Sequence, residues 1–298
     1  MYNQRCNMKF VLSLLLFFGL PHILSAADVP AFTDEDLDRY KKGPDIHKPS
    51  ETTGAEGDIS EQIPGDPDQG NVKKPKRIEV PYKAYEATAR RVIVMVKFND
   101  SVTAPMLLDT GSPGMMISYD LADKLGLFHK DNANLVTAVG GIGGTVPGIL
   151  TIIDTVQMGE ARDNFVPTTI SASLSGQFEG LIGLDFMSNY NVQVDIRRKV
   201  VVFEELPSRG SMPGGHDEEW WRMNFRQFAS LRSQWLQVKE RFNKWPDTQK
   251  NNSSGISTSD VPKLRRFIEL QYLEVDKLFD KLNGYAVRNS VPMQWREY

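Results

Sequence analysis

Asp109 follows an apolar run, Met106-Leu107-Leu108, and is itself followed by Thr110, Gly111 and Ser112. A carboxylate at the end of a hydrophobic strand shifts its pKa or costs stability unless it is hydrogen-bonded, so a residue placed there is suited to proton transfer. Gly111 lets a backbone or a substrate come close and can turn its N–H toward the carboxylate, while Thr110 can reach backbone groups of a neighbouring loop. Taken alone, an Asp-Thr-Gly tripeptide also makes an ordinary turn between strands. Two more segments add to it. Val139, Gly140, Gly141, Ile142, Gly143 and Gly144 lie between strand-like runs, which suits the tip of a hairpin that closes over an extended peptide. Further on, Gly180, Leu181, Ile182 and Gly183 form a second short apolar strand with glycine breaks, continuing through Leu184 into Asp185.

These segments need a scaffold, and the surrounding texture supplies a β one. From Ile78 to Leu206 the chain runs in short apolar stretches separated by Gly, Pro and Asp. Val92–Phe98, Met106–Leu108, Met115–Ser118, Thr145–Ile153, Phe165–Ile170, Gly180–Leu184, Val192–Asp195 and Val200–Phe203 have the length and content of strands. A short helix is expected over Tyr119–Leu125, capped by Ser118 and stopped by Gly126, and a helical turn over Asp185–Tyr190. The period then changes. Starting at Asn224, the residues Phe228, Leu231, Trp235, Val238, Phe242 and Trp245 recur in steps of four and three, one apolar stripe on a long helix. After a polar break at Asn251–Gly255, Ser259 or Asp260 caps a second helix, in which Val261, Leu264, Ile268, Val275, Leu278, Leu282 and Tyr285 repeat the spacing with only Gln271 polar. Two antiparallel helices result, and their stripe must pack on the β domain or on another copy. Val291–Tyr298, with Trp295, is expected to fold back on them.

The ends and the composition restrict the setting. Residues 1–27 read as a signal peptide: Arg5 and Lys9 precede the apolar run Phe10–Leu20, and Ser25, Ala26 and Ala27 offer small residues for cleavage. Residues 28–77 are acidic, rich in Pro and Gly and poor in large apolar residues, a linker in composition. Within them Phe32, Leu37 and Tyr40 could form a short amphipathic turn. The organisation is therefore a signal peptide (1–27), an acidic linker (28–77), a β domain (78–206), a short linker (207–216) and a helical hairpin (217–298). Of 298 residues, 40% are hydrophobic and 24% charged, with a net charge of −3 and one cysteine, Cys6, inside the signal segment. Without Cys6 the mature chain has no thiol for disulfides, metal thiolates or a cysteine nucleophile. No basic stripe marks a nucleic-acid partner.

Other chemistries lack their residues. There is no Gly-x-Ser-x-Gly elbow, and His47, His129 and His216 are scattered without metal-ligand spacing, so no metal and no cofactor is expected. The glycines at 140–144 miss the dinucleotide pattern, because Val146 stands where its third glycine would fall.

In combination, the Leu-Leu-Asp-Thr-Gly-Ser strand and loop, the glycine-rich run and the Gly-Leu-Ile-Gly-Leu-Asp-Phe-Met segment resemble the retropepsin-like aspartic proteases, particularly their single-domain exported bacterial members. The resemblance covers Ile78–Leu206. It implies a mainly β fold, a closed acid-protease domain, here with a C-terminal helical hairpin that the minimal unit lacks. It implies that Asp109 is the catalytic aspartate, Thr110 a buttress whose hydroxyl bonds the partner's loop and Gly111 the close-approach glycine. Gly140, Gly141, Ile142, Gly143 and Gly144 would belong to a flap over the substrate, and Gly180, Leu181, Ile182 and Gly183 to the strand that braces the catalytic loop. Aspartic peptidases use two carboxylates that share a proton, and this chain has one Asp-Thr-Gly: Asp154-Thr155-Val156 lacks the glycine, and Asp185 and Asp195 lack both the preceding strand and the following Thr-Gly. The second carboxylate is then expected from a second copy. The expectation is an exported, periplasmic, homodimeric endopeptidase acting on a protein or peptide substrate, with an envelope partner for the helices. The alternatives are a noncatalytic dimerisation or peptide-binding module, and a precursor that cuts its own linker.

Overall fold

The computed structural model describes residues 75–84, 90–141, 144–172, 175–206, 211–244 and 261–298. The signal segment, nearly all of the acidic linker, Ile142, Gly143, Trp245 and the caps expected at Ser259 and Asp260 lie outside them. Ten strands form one sheet: β1 (Arg77–Ala84), β2 (Val92–Phe98), β3 (Val102–Leu108), β4 (Met115–Ser118), β5 (Leu135–Gly141), β6 (Gly144–Met158), β7 (Ala161–Ser171), β8 (Gly180–Ile182), β9 (Tyr190–Asp195) and β10 (Val200–Glu205). Among the described residues, four α-helices accompany them: α1 (Tyr119–Lys124), α2 (Leu184–Met187), α3 (Glu218–Asn243) and α4 (Val261–Arg288).

The strand order is β5-β6-β7-β4-β8-β3-β2-β1-β10-β9, and a further pairing of β6 with β2 closes six of these strands, β6, β7, β4, β8, β3 and β2, into a barrel. That seam is short: Lys97 pairs with Gln157 and Phe98 with Val156. Alternation explains which residues fill the interior. In β2 the side chains of Val94, Val96 and Phe98 are fully buried, with Met95 and Lys97 outside between them. They meet Met106, Ile117, Ile153, Val156, Ile170, Ile182 and Phe186 in one core.

The expected α1 forms as read, with the Ser118 hydroxyl accepting the N–H of Leu121 and Gly126 at φ +66° beyond its end. Two expectations need correction. The strand expected at Thr145–Ile153 runs from Gly144 to Met158, because it serves three neighbours along its length: its first half pairs with β5, Ile149 to Met158 with β7, and Val156 and Gln157 also with β2. The first long helix starts at Glu218, six residues before Asn224, because the Asp217 carboxylate caps the N–H of Trp220 and lets Trp221 and Phe225 extend the apolar stripe.

The helices cover the outside of the β5-β6-β7 layer. Leu135, Ile152 and Phe165 point away from the barrel core and join Trp221, Phe225, Phe228, Leu231, Trp235, Ile268, Val275, Leu278 and Leu282 in a second core. Residues 211–216, read as linker, contain a 3-10 turn at Pro213–Gly215 and the buried His216. At the C-terminus Trp295 packs on the helical core, and the Arg296 guanidinium donates to the carbonyls of Ala286 and Val291. Among the described residues no helix is long and apolar enough to cross a membrane.

Candidate active site

The loop 109–114 leaves β3 and returns as β4, and β8 lies between those two strands. Leu107 and Leu108 pair in parallel with Leu181 and Ile182, while Met116 and Ile117 pair antiparallel with Leu181 and Gly180. One three-residue strand therefore fixes both ends of the loop. The Asp109 N–H donates to the Ile182 carbonyl at 3.0 Å, and the Ser112 N–H returns to the Asp109 carbonyl at 3.2 Å. Asp109 is half-buried, and Thr110 and Gly111 are exposed. Gly111 donates its N–H to Asp109 Oδ1 at 2.9 Å, and a Cβ at position 111 would stand 3.2 Å from that oxygen, a tight approach that the glycine leaves open.

The segment after β8 braces the loop from behind. Leu184 N–H donates to Ser112 O at 2.9 Å and Asp185 N–H to Pro113 O at 3.1 Å. Gly183 lies so close to Gly114 that a Cβ there would fall 2.4 Å from the Gly114 carbonyl oxygen. Gly180 is equally confined, its virtual Cβ 2.0 Å from Met116 O. The structure thus brings Asp109, Thr110 and Gly111 together with Gly180, Leu181, Ile182 and Gly183. Gly140, Gly141 and Gly144 lie on the β5–β6 hairpin, whose last pair is Gly141 with Gly144.

One acid outside the Asp-Thr-Gly motif has a role in this framework. Asp185 accepts the N–H of Met115 through Oδ2 at 3.1 Å and that of Phe186 through Oδ1 at 2.7 Å, joining the start of β4 to α2. Burial raises its pKa to about 6, against the lowering effect of those N–H groups. Its signal in the sequence was an acid directly after Gly-Leu-Ile-Gly-Leu. Behind it lies Asp163 on β7, 8% exposed, whose Oδ2 accepts from Asn189 Nδ2 at 3.2 Å. Burial pushes the Asp163 carboxyl up to about 7, and the neighbouring Asp185 pushes in the same direction. His216 is 1% exposed, stacked on Trp220 at 3.6 Å between centroids, with Nε2 2.8 Å from Asn164 O and 3.7 Å from Asp163 Oδ1. A carbonyl accepts only, so Nε2 carries the hydrogen; burial holds the ring's pKa down at about 4. The contact is accordingly between two neutral groups around pH 5 to 6, with the proton on Asp163. No grouping of three or more His, Cys, Asp or Glu residues fit for a metal occurs among the described residues.

The strand order, the closed barrel and the braced Asp-Thr-Gly loop meet at one comparison. Residues 94–186 match the aspartyl protease family model. The matched stretch runs from β2 to α2, under about a third of the chain, and contains both the loop and its brace. Among solved structures, the chain is similar to a retropepsin-like aspartic protease from Rickettsia conorii, at 13% identity over 44% of this chain and 92% of that one, with a TM-score of 0.35. It is also similar to the EIAV protease complexed with the inhibitor HBY-793, at 20% identity over 36% and 92% of the two chains, with a TM-score of 0.28. No curated protein matches. The match to the aspartyl protease family model and the six-stranded barrel agree with the resemblance read from the motifs, in a mainly β domain followed by C-terminal helices.

Proposed function

We propose that the protein is an exported, periplasmic aspartic endopeptidase, active as a homodimer. The observation that carries the reading is the Asp109 loop itself: a single Asp-Thr-Gly per chain, held by β8 and its following turn, with Thr110 and Gly111 exposed and the carboxylate oriented by the Gly111 N–H. Two copies meeting at this loop place two Asp109 carboxylates around one water. Like charges about 3 Å apart do not both ionise, so the pair holds one proton. The ionised member takes a proton from the water as it attacks the peptide carbonyl, and the protonated member donates to the carbonyl oxygen. Thr110 buttresses the partner's loop, and the β5–β6 hairpin, with Gly140, Gly141, Ile142, Gly143 and Gly144 at its tip, covers the substrate as an extended strand. Gly180, Leu181, Ile182 and Gly183 keep the loop in register. The signal segment supports export, and the family match supports the protease class. Asp109→Asn in the mature chain is expected to lower peptide cleavage at mildly acid pH at least about 10³-fold, with the dimer intact by sedimentation. Cleavage that persists in this variant rejects the assignment.

A further inference from the structure

Gln271 is the one polar residue in the apolar stripe of α4, and it is 6% exposed. A buried amide without a partner costs about 1–3 kcal/mol, so a stripe built only for packing would carry Leu there. Its partner is on the sheet. Gln271 Oε1 accepts the backbone N–H of Val136 at 2.7 Å, and one turn on, Glu274 Oε2 accepts that of Asn134 at 2.8 Å. Val136 belongs to β5, an edge strand of the sheet, which among the described residues pairs with β6 alone. Strand N–H groups alternate in direction, so those of Asn134, Val136, Ala138 and Gly140 all face away from β6. The register agrees: Pro147, which has no N–H to give, stands opposite Ala138, at a pair that exchanges no ladder bond. An open edge of this kind normally needs another strand or a cover. Here a helix supplies acceptors in place of the strand.

The same side of α4 grips further along. Lys277 Nζ donates to Lys130 O at 3.0 Å and bridges to Glu274 Oε1 at 2.9 Å; Lys281 Nζ pairs with Asp154 Oδ1 at 2.9 Å on β6. Positions 271, 274, 277 and 281 thus hold the approach to β5, its first residues and the middle of β6. One turn back along α4 stand Phe267 and Ile268, whose side chains carry no acceptor. Among the described residues, the side-chain bonds from α4 to the main chain of β5 thus lie at its root, at Val136 and the adjoining Asn134.

We propose that α4 clamps the root of the β5–β6 hairpin, and that Gln271 and Glu274 are positioning residues that set how this hairpin covers a bound peptide. The proposal deepens the peptidase reading and rests on it for the peptide, while the clamp itself is measurable without cleavage. Gln271→Leu in the full chain keeps the volume and removes the acceptor; Gln271→Glu restores one. In amide hydrogen exchange followed by NMR, Val136 is expected to exchange at least about tenfold faster in Gln271→Leu and to recover in Gln271→Glu, with the barrel amides of Val94 and Val156 unchanged. Glu274→Ala, at a more exposed position, is expected to do the same at Asn134. In cleavage assays the KM for an extended peptide rises about fivefold in Gln271→Leu while kcat changes less than about twofold, with recovery in Gln271→Glu. Unchanged exchange at Val136 and Asn134 in these variants overturns the clamp. So does faster exchange spread equally over Val94 and Val156, or a freed root with KM unaltered. A wild-type chain that cleaves nothing rejects the peptidase reading instead, and leaves the clamp to be judged on exchange.

Discussion

Gly183→Ala tests whether the brace behind the Asp109 loop positions it. The new Cβ would lie 2.4 Å from Gly114 O and 2.7 Å from Gly114 C and N, all backbone atoms that no rotamer change can move aside. Ordinary contact begins near 3.4 Å, so loop and brace must separate by about 1 Å. The bonds Leu184 N–H to Ser112 O, Asp185 N–H to Pro113 O and Met115 N–H to Asp185 Oδ2, now 2.9–3.1 Å, would open beyond hydrogen-bond length. Three such bonds at about 1 kcal/mol each, with part of the usual 1–3 kcal/mol for overpacking, give a destabilisation of about 3–5 kcal/mol. A loss of that size leaves a typical domain folded in buffer but lowers its urea midpoint clearly. Because loop displacements of about 1 Å cost catalysis about 10²-fold, cleavage should fall by that factor even where the variant is fully folded. The assays are urea unfolding and peptide cleavage well below the transition. Gly176→Ala, where a Cβ meets nothing within 4 Å, is the matched control and should change neither. Wild-type stability and cleavage in Gly183→Ala would refute the argument.

Asp163→Asn should alter how stability depends on pH. With its carboxyl raised to about 7, Asp163 binds a proton in the folded chain that the unfolded chain has already lost above the ordinary carboxylate range. Its contribution is therefore complete at low pH and disappears as pH rises through about 7. His216, lowered to about 4, acts oppositely between that value and its ordinary one, and Asp185, raised to about 6, acts with Asp163. From pH 5 to pH 8 the wild type should lose about 2–3 kcal/mol relative to Asp163→Asn in urea titrations, and parallel curves would exclude a buried titrating acid. Tyr285→Phe removes a 2.6 Å bond to Gly214 O while keeping the ring stacked on Phe165. It should cost about 1 kcal/mol in thermal unfolding with cleavage unaffected.

The barrel strands were legible where period and turn residues agreed, as in β2, whose alternating Val94, Val96 and Phe98 face inward. The Asp109 loop was legible for another reason: its chemistry depends on consecutive residues, so the motif contains most of the geometry. What the sequence concealed is made at long range. Asp185 lacks the Thr-Gly of a catalytic acid, yet it holds a backbone N–H 70 residues away, a contact that leaves no local pattern. His216 looked like one of several isolated histidines because its carbonyl partner, Asn164, is on a strand 52 residues earlier. β5 was read only as one of the strand-like runs beside a glycine-rich tip, since nothing local in Leu135–Gly141 tells that it stands at the edge of the sheet. Gln271 did stand out as the exception in its stripe, though nothing local told that its partner was a main-chain amide on β5.

The two hydrophobic cores share the wall formed by β5, β6 and β7. A chain cut back to the length of the minimal protease unit, ending after β10, would bare Leu135, Ile152 and Phe165 to water on the barrel's outer wall. Phe165 would lose the most, since it holds a left-handed backbone (φ +56°), a conformation unfavourable for an aromatic residue, with its ring stacked 4.8 Å from Tyr285. The helical hairpin is therefore no removable appendage: the chain cannot be trimmed to its β domain without leaving sticky, strained surface where the helices had been.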